Sequence, residues 1–342
     1  MDASPYHVLA FYHLVSIEDP LAEVARHKAF FEGRDATGRI YISHEGINAQ
    51  LSGAAREAQS YIDWLRSDLR YRDADVKWQG HHENVFPRMT IKVRKELVAM
   101  GVEADLTKRG EAITPRRWRE MLESGEEITL LDIRNGYEWD LGHFEGSARP
   151  TCETFRDFPR LADEVSRKLD PKESKVMMCC TGGIRCEYFS ALLKERGFEQ
   201  VYQLEGGIIK YAQEEGGRHF KGKLFVFDDR LAVDVNEEER RPSGPCHFCA
   251  GASDHFFNCA NMDCNALFLS CLACLEGQKG CCKAECGTGE RLRPLAHQRI
   301  AKPFRRWYHY IKEKARARFD EERAKERGKS SQSLAVEEST PV

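Results

Sequence analysis

Lys175-Val-Met-Met-Cys-Cys-Thr-Gly-Gly-Ile-Arg-Cys186 decides the fold of this chain. Val176 to Cys179 is a short apolar run, the pattern of a buried strand. It empties into Cys180-Thr181-Gly182-Gly183-Ile184-Arg185. A helical pattern follows at once, with Cys186, Phe189, Leu192 and Leu193 at helical spacing, Lys194 and Arg196 near its end, and Gly197 as the stop. The backbone N–H groups of a glycine-containing strand-to-helix loop favour an anion, as does the N-terminus of the helix behind it. A cysteine at position 180 therefore ionises more easily, and the thiolate is the nucleophile.

The neighbouring segments extend this unit. Thr114-Pro115 is a cap followed by a proline, the favoured start of a helix. Ile128-Thr-Leu-Leu-Asp132 and Gln200-Val-Tyr-Gln-Leu204 are further strands, so residues 113–222 predict an open parallel α/β sheet. Ligands of such sheets bind beyond the carboxyl ends of the strands, where Asp132, Cys180 and Glu205-Gly206-Gly207 are expected. Residues 1–100 read as strand, helix, two strands, helix and strand. The strands are Tyr6 to Val15, Arg39 to Ser43, Ile47 to Leu51 and Met89 to Val93, and the order is that of a ferredoxin-like (acylphosphatase-like) α+β domain. His44, Glu45 and Asn48, at the turn between the two central strands, read either as ligand contacts or as turn-forming polar residues.

The chain has 342 residues, 41% of them hydrophobic, and a net charge of −3. That length predicts two or three domains. No run reaches the ~18 apolar residues of a membrane span. Met1-Asp-Ala-Ser-Pro5 has neither the basic start nor the apolar core of a signal peptide. A cytoplasmic protein with no membrane partner is expected, and there 13 cysteines point to metal or thiol chemistry rather than disulfides.

Nine of those cysteines fall in the region 223–290. Cys246–Cys249 and Cys271–Cys274 are Cys-x2-Cys knuckles, a zinc signal. With Cys259, Cys264, Cys282 and Cys286 they supply eight thiolates for one or two ions, Cys281 being the alternative to Cys282. Crossed and sequential groupings both fit. An all-thiolate site leaves no open position, so the zinc is expected to be structural, clamping the C-terminal segment to the domain before it. His247 and His255 are weaker ligand candidates, and an iron–sulfur cluster is the second choice.

Residues 291–342 read as a basic helix with a polar tail. From Arg291 to Lys329 there are 14 Lys or Arg against 5 Asp or Glu. Arg305, Arg306, Trp307 and Lys312 interleave cations with an aromatic, which suits phosphate contact and base stacking in RNA. The alternative is a solvated basic helix whose Trp307 packs back on the protein. Lys77, Lys92, Arg94 and Lys95 add positive charge in the first block.

The second block resembles a rhodanese (sulfurtransferase) domain in Leu131-Asp-Ile-Arg134, Tyr137-Glu138, Gly142-His-Phe-Glu-Gly-Ser-Ala148, Cys180 to Arg185 and Leu204-Glu-Gly-Gly-Ile208. The resemblance implies a Cys180 persulfide, held by the loop N–H groups with Arg185. The whole arrangement resembles the bacterial tRNA uridine hydroxylase family. The stretches that carry this are Ser43-His-Glu-Gly-Ile-Asn-Ala-Gln-Leu51, Pro87-Arg-Met-Thr-Ile-Lys-Val-Arg94, Glu96-Leu-Val98, Asp132-Ile-Arg-Asn-Gly-Tyr-Glu-Trp139 and Cys180-Thr-Gly-Gly-Ile-Arg-Cys-Glu187, together with the cysteine spacing of the third block. It implies an oxidoreductase that hydroxylates the wobble uridine (position 34) of tRNA to 5-hydroxyuridine, with Cys180 catalytic, Thr181 to Arg185 as its loop and dioxygen as co-substrate. Asp132 and Cys186 are accessory candidates. No flavin, haem or other nucleotide-cofactor motif is present. Thr151-Cys152 departs from the cysteine-free pair expected there.

Other readings compete. The loop alone fits a sulfurtransferase or persulfide carrier, and the metal region with the basic end fits a zinc and RNA adaptor. Cys179 to Arg185 also satisfies the Cys-x5-Arg spacing of cysteine phosphatases, but that needs Cys179 as nucleophile, and the last residue of a buried strand is expected in the core. Cys186 reads as a resolving thiol or as a small buried side chain.

Overall fold

The computed structural model describes residues 4–152, 154–235 and 244–295. The first unit is built on a five-stranded sheet. Its elements are β1 (Tyr6–Leu14), α1 (Pro20–Phe31), β2 (Ala36–Ser43), β3 (Gly46–Ala54), α2 (Ala55–Ser67), β4 (Lys77–His81) and β5 (Met89–Val93), in the sheet order β4-β1-β3-β2-β5. Asp19 starts α1 by accepting from the Leu21 and Ala22 N–H groups, with Pro20 in the first turn. Both helices pack on one sheet face, where Leu9, Phe11, Ile40, Ile42, Ile47 and Leu51 meet Val24, Phe31, Tyr61 and Leu65.

The ferredoxin-like expectation is met, with one strand corrected. The closing strand beside β1 is β4, antiparallel to it. Met89–Val93 is instead a fifth strand, parallel to β2 on the opposite edge. Lys77-Trp-Gln-Gly-His81 carries little apolar pattern because it is an edge strand paired on one side only.

The second unit contains β6 (Glu111–Ile113), α3 (Pro115–Glu123), β7 (Thr129–Asp132), α4 (Gly136–Leu141), β8 (Gly142–Phe144), α5 (Phe158–Lys168), β9 (Lys175–Cys179), α6 (Ile184–Glu195), β10 (Gln200–Leu204) and α7 (Gly207–Glu215). Four parallel strands, in the order β6-β10-β9-β7, carry helices on both faces. Val176 and Met178 face Phe158, Ala162, Phe189 and Leu192 of α5 and α6. Met177 and Cys179 face Trp118, Met121, Ile208 and Tyr211 of α3 and α7. Both faces are covered, so the strands read as continuous apolar runs.

A third region begins with β11 (Phe220–Phe225), which pairs with β8 and with β12 (Ala232–Asp234), so one strand runs across the boundary expected at residue 222. Two short hairpins follow: β13 (Gly244–Pro245) with β14 (Ala252–Ser253), and β15 (Phe256–Asn258) with β16 (Leu267–Leu269). Helix α8 (Leu272–Gly277) comes last. Phe256 and Leu269 pack on Leu141 and Phe225 of the second unit. Among the described residues no helix is long and apolar enough to cross a membrane.

The open face of the first sheet lies over the Cys180 loop. The contact explains why Arg185 through Leu193 of α6 are all buried, a pattern no single covering layer produces. Tyr12 donates to Glu187 (2.7 Å), and Tyr188 donates to Glu45 (3.1 Å). Glu187 also pairs with Arg109 (3.2 Å) and accepts from Gln203 (3.1 Å).

The loop is buttressed from behind by the start of α7. The Ile208 and Ile209 N–H groups donate to the Cys180 and Thr181 carbonyls (3.0 and 3.1 Å). Gly207 makes this approach possible: its φ is +68°, and a Cβ there would lie 2.6 Å from the Cys180 carbonyl oxygen and 2.7 Å from the Gly182 and Gly183 nitrogens. We expect Gly207→Ala to destabilise the protein by more than about 1–2 kcal/mol, the cost of the left-handed backbone alone. Denaturant unfolding measures the loss, and an unchanged midpoint would contradict this account of the buttress.

Candidate active site and metal centres

Cys180 follows the last residue of β9, where the chain leaves the sheet and Gly183 (φ +103°) turns it into α6. Its sulfur accepts the Gly183 N–H at 3.2 Å. Burial would push this thiol up. The Cys186 thiol as donor, the Arg185 guanidinium and the N–H groups of Cys186 and Gly183 outweigh it and bring the group down to about 6. Cys186 is pushed well above its ordinary range, first by burial and then by Cys180 as acceptor. The geometry thus makes Cys186 a proton donor to the neighbouring sulfur. Cys179, in the core between Met177 and the α3–α7 layer, is also held protonated by burial. That placement leaves the phosphatase spacing without an accessible nucleophile.

The Arg185 fork is engaged with neighbouring side chains, while its charge still acts on the Cys180 sulfur. The guanidinium forms a two-point pair with Glu138 of α4 (2.7 and 2.8 Å) and donates to Thr181 Oγ1 (3.2 Å). Burial alone would raise the Glu138 carboxyl; Arg185 reverses that and keeps the pair ionised. Asp132 stands at the carboxyl edge as expected, but its carboxylate is committed to the fully buried Arg134 (2.6 Å). It lines a separate cavity beside α5, away from Cys180.

Cys180, Thr181, Gly182, Ile184 and Arg185 form one wall of a cavity of about 320 Å³. The facing wall is the open sheet face, with Tyr12, Arg39, Tyr41, Asn48, Gln50 and Lys77. Asn135, Phe155 and Phe227 close its sides. Of the three turn residues singled out in sequence, only Asn48 lines this space. His44 bonds the Ile17 carbonyl (2.9 Å), and Glu45 is a tether that also accepts the Leu97 N–H (3.1 Å). Sequence reasoning missed Tyr12, Gln50, Glu138 and Glu187 as site residues. Gln50 shares a strand face with Asn48 two positions away, a signal the alternation held. Cys152, the departing residue, is buried in the core beside Phe158.

The other cysteines gather into two groups. Cys246, Cys249, Cys271 and Cys274 bring four sulfurs within 4.8 Å of one another, and Cys259, Cys264, Cys282 and Cys286 do the same. The grouping is crossed. Cys249–Cys271, Cys264–Cys282 and Cys282–Cys286 are 4.0, 3.6 and 4.0 Å apart. A tetrahedral zinc with its usual bond length to sulfur separates its ligands by about 3.8 Å. Backbone N–H groups of Cys271 and Cys282 point at Cys246 and Cys259 sulfurs (both 3.4 Å). Both sets therefore fit a metal ion. Cys281 is outside them, its thiol directed to the Lys279 carbonyl. His247 bonds the Cys282 carbonyl (3.0 Å) and His255 pairs with Asp254 (3.1 Å), and neither belongs to the two sulfur groups. A third donor group, His81, His82 and Glu83, sits at the end of β4 outside the Cys180 cavity. Arg305, Arg306, Trp307 and Lys312 lie outside the described residues.

Three measurements test these sites. Cys180 alkylation in the intact protein should rise with pH about a midpoint near 6. The unfolded thiol keeps its proton up to its ordinary range near 9, so stability should also increase with pH between those values. A midpoint above 8 would contradict the site. Elemental analysis should find two metal ions per chain, one in Cys282→Ser and still two in Cys281→Ser.

Comparison with known proteins adds a family context. Family models match in three successive blocks: the UPF0176 acylphosphatase like domain over residues 6–97, the rhodanese-like domain over 114–214 and the rhodanase C-terminal over 221–287. The tRNA uridine(34) hydroxylase of Protochlamydia amoebophila is 47% identical over 308 residues, covering 90% of this chain and 96% of its own. That of Chlamydia muridarum is 49% identical over 305 residues, covering 88% and 92%. Among solved structures, the rhodanese-like domain of Anabaena sp. Alr3790 is 25% identical, covers 42% of this chain and 88% of its own, and has a TM-score of 0.29.

Proposed function

The chain belongs to the tRNA uridine(34) hydroxylase family, and we propose that it hydroxylates the wobble uridine of tRNA at C5 with Cys180 as the catalytic nucleophile. The observation that carries this reading is a thiol brought down to about 6 inside a cavity whose second wall is polar and belongs to another domain. Wobble uridine is unpaired in the free anticodon loop, and an enzyme that works on a base must take it out of its stack.

Addition of the Cys180 thiolate to C6 forms an S–C6 bond and breaks the C5=C6 π bond, moving the electron pair onto C5 and O4. Carbon C5 is then electron-rich and open to oxidation. We assign dioxygen as the co-substrate: one oxygen atom enters at C5 and the other leaves as water with two electrons and two protons from an external donor. Loss of the C5 proton and expulsion of the thiolate restore the double bond. On this reading the protein is an oxidoreductase of the cytoplasm. Cys186 holds a proton against the thiolate, and Arg185 with Glu138 sets the loop. Zinc is the ion we assign to both thiolate groups, since each offers four sulfurs and no open position. It holds the third region against α4. The basic segment with Arg305, Arg306, Trp307 and Lys312 is assigned to tRNA phosphate contact on its composition.

A deletion strain should lose 5-hydroxyuridine and its derivatives from tRNA, read by nucleoside mass spectrometry. The wild-type gene should restore them and Cys180→Ala should leave them below about 1% of normal, as removal of a covalent nucleophile generally does. Loss of thiolated uridine in their place would establish the sulfurtransferase alternative.

A further inference from the structure

The cavity wall opposite Cys180 is built from two rungs of the first sheet. On one rung Ala10 of β1 pairs with Lys77 of β4 on one side and Gln50 of β3 on the other, and Gln50 pairs in turn with Arg39 of β2. On the next, Tyr12 pairs with Asn48 and Asn48 with Tyr41. Neighbouring strands are ~4.8 Å apart, so Lys77 and Gln50 are separated by about 10 Å across the small Ala10 side chain. That recess has the width of one pyrimidine ring with its exocyclic oxygens.

Its flanks are chemically unlike. The Lys77 side chain is 5% exposed, and its ammonium lies 3.0 Å from the Asp75 carboxylate and 5.5 Å from the Tyr12 ring centroid. An ammonium has three donors and no acceptor; Asp75 takes two of them, through its carboxylate and its carbonyl oxygen (3.4 Å), which leaves one for a ligand in the cavity that Lys77 lines. The Asn48 and Gln50 amides each offer a donor and an acceptor, and neither has a hydrogen-bond partner among the described residues.

We propose that Lys77, Gln50 and Asn48 form a uracil-reading wall, in which Lys77 donates to O4 while the β3 amides accept N3–H and donate to O2. This rests on the tRNA uridine reading above. The base lies over Ala10 with one ring face turned to Cys180, the approach that addition at C6 requires. Cytosine is rejected in this pose. Its N4 amino group meets the donor-only ammonium, and an amide that rotates to serve N3 turns its oxygen onto O2. A buried site with unmatched polar groups discriminates strongly. The first domain is thus the specificity element of the reaction rather than only a cover.

The test uses the full-length protein with two anticodon stem-loop RNAs, identical but for uridine or cytidine at the wobble position. It compares wild type with Lys77→Met, Gln50→Leu and Asn48→Ala. Cys180 alkylation in the free protein reports that the loop is intact. The expected result is an uridine preference in the wild type. In Lys77→Met, Gln50→Leu and Asn48→Ala, kcat/KM on the uridine RNA should fall on the order of 10- to 100-fold, and the uridine-to-cytidine ratio should collapse with alkylation unchanged. Variants that keep the wild-type ratio, whether or not the rate falls, overturn the reading wall while leaving the hydroxylase assignment standing. A wild type that modifies neither RNA overturns the hydroxylase assignment, and the wall with it.

Discussion

Everything at the reactive loop depends on one buried ion pair. Arg185 stands in the first turn of α6 and Glu138 in the first turn of α4, and each would be costly alone in that interior. A buried pair that loses one partner leaves an uncompensated charge, with a penalty of about 3–5 kcal/mol. The geometry therefore has little freedom: Glu138 also accepts the Asn135 N–H (3.0 Å), which caps α4, while Arg185 holds Thr181. Two helices and the loop between strand and helix share one electrostatic centre. Because Arg185 is neutralised by Glu138, the thiolate draws its stabilisation jointly from the guanidinium field, the Cys186 thiol and the loop N–H groups.

That arrangement alone would leave the sulfur at the edge of an open sheet. The first domain changes its surroundings. Its helices occupy one sheet face, and the other face is free to become a wall. Tethers from Tyr12, Glu45 and Arg109 converge on α6, the same helix whose N-terminus supports the thiolate. Burial raises the cost of ionising the thiol and also strengthens every hydrogen bond and charge that opposes this cost. The outcome is a cysteine 1% exposed whose thiol is nonetheless brought down to about 6.

Local pattern made the central unit legible. The apolar run Val176 to Cys179, the Gly182-Gly183 turn and the helix ending at Gly197 all carry information within a dozen residues, and the structure follows them. The strand Lys77–His81 was not legible, because an edge strand with a lysine facing the cavity and an exposed glutamine two residues on has no apolar alternation to display. Tyr12 and Glu187 are 175 positions apart, and nothing in either segment announces the other. Arg185 was legible as a loop residue but not as the partner of Glu138, since charge spacing does not say which of several carboxylates folding brings near. The cysteine groups were legible as eight ligands and a spare. Their crossed grouping depended on how the hairpin β15–β16 threads between the knuckles.

The dimensions of the cavity bear on which chemistry the loop performs. A persulfide carrier needs its sulfur at an accessible rim, where a small donor and then an acceptor protein can each reach it. Here a second domain covers the loop and leaves about 320 Å³, at the small end of ligand pockets. A base pair or a folded partner does not fit, but one extruded nucleobase does. The polar groups on the sheet wall are two amides, two phenols, one ammonium and the Arg39 guanidinium, which stacks on Phe86 (5.6 Å), and the two amides match the donor and acceptor pattern of a neutral base. Guanidinium groups serve anions best by two-point contact, and the one nearest the sulfur, Arg185, already spends its fork on Glu138. The amides of Asn48 and Gln50 thus supply the paired donor and acceptor that a pyrimidine needs.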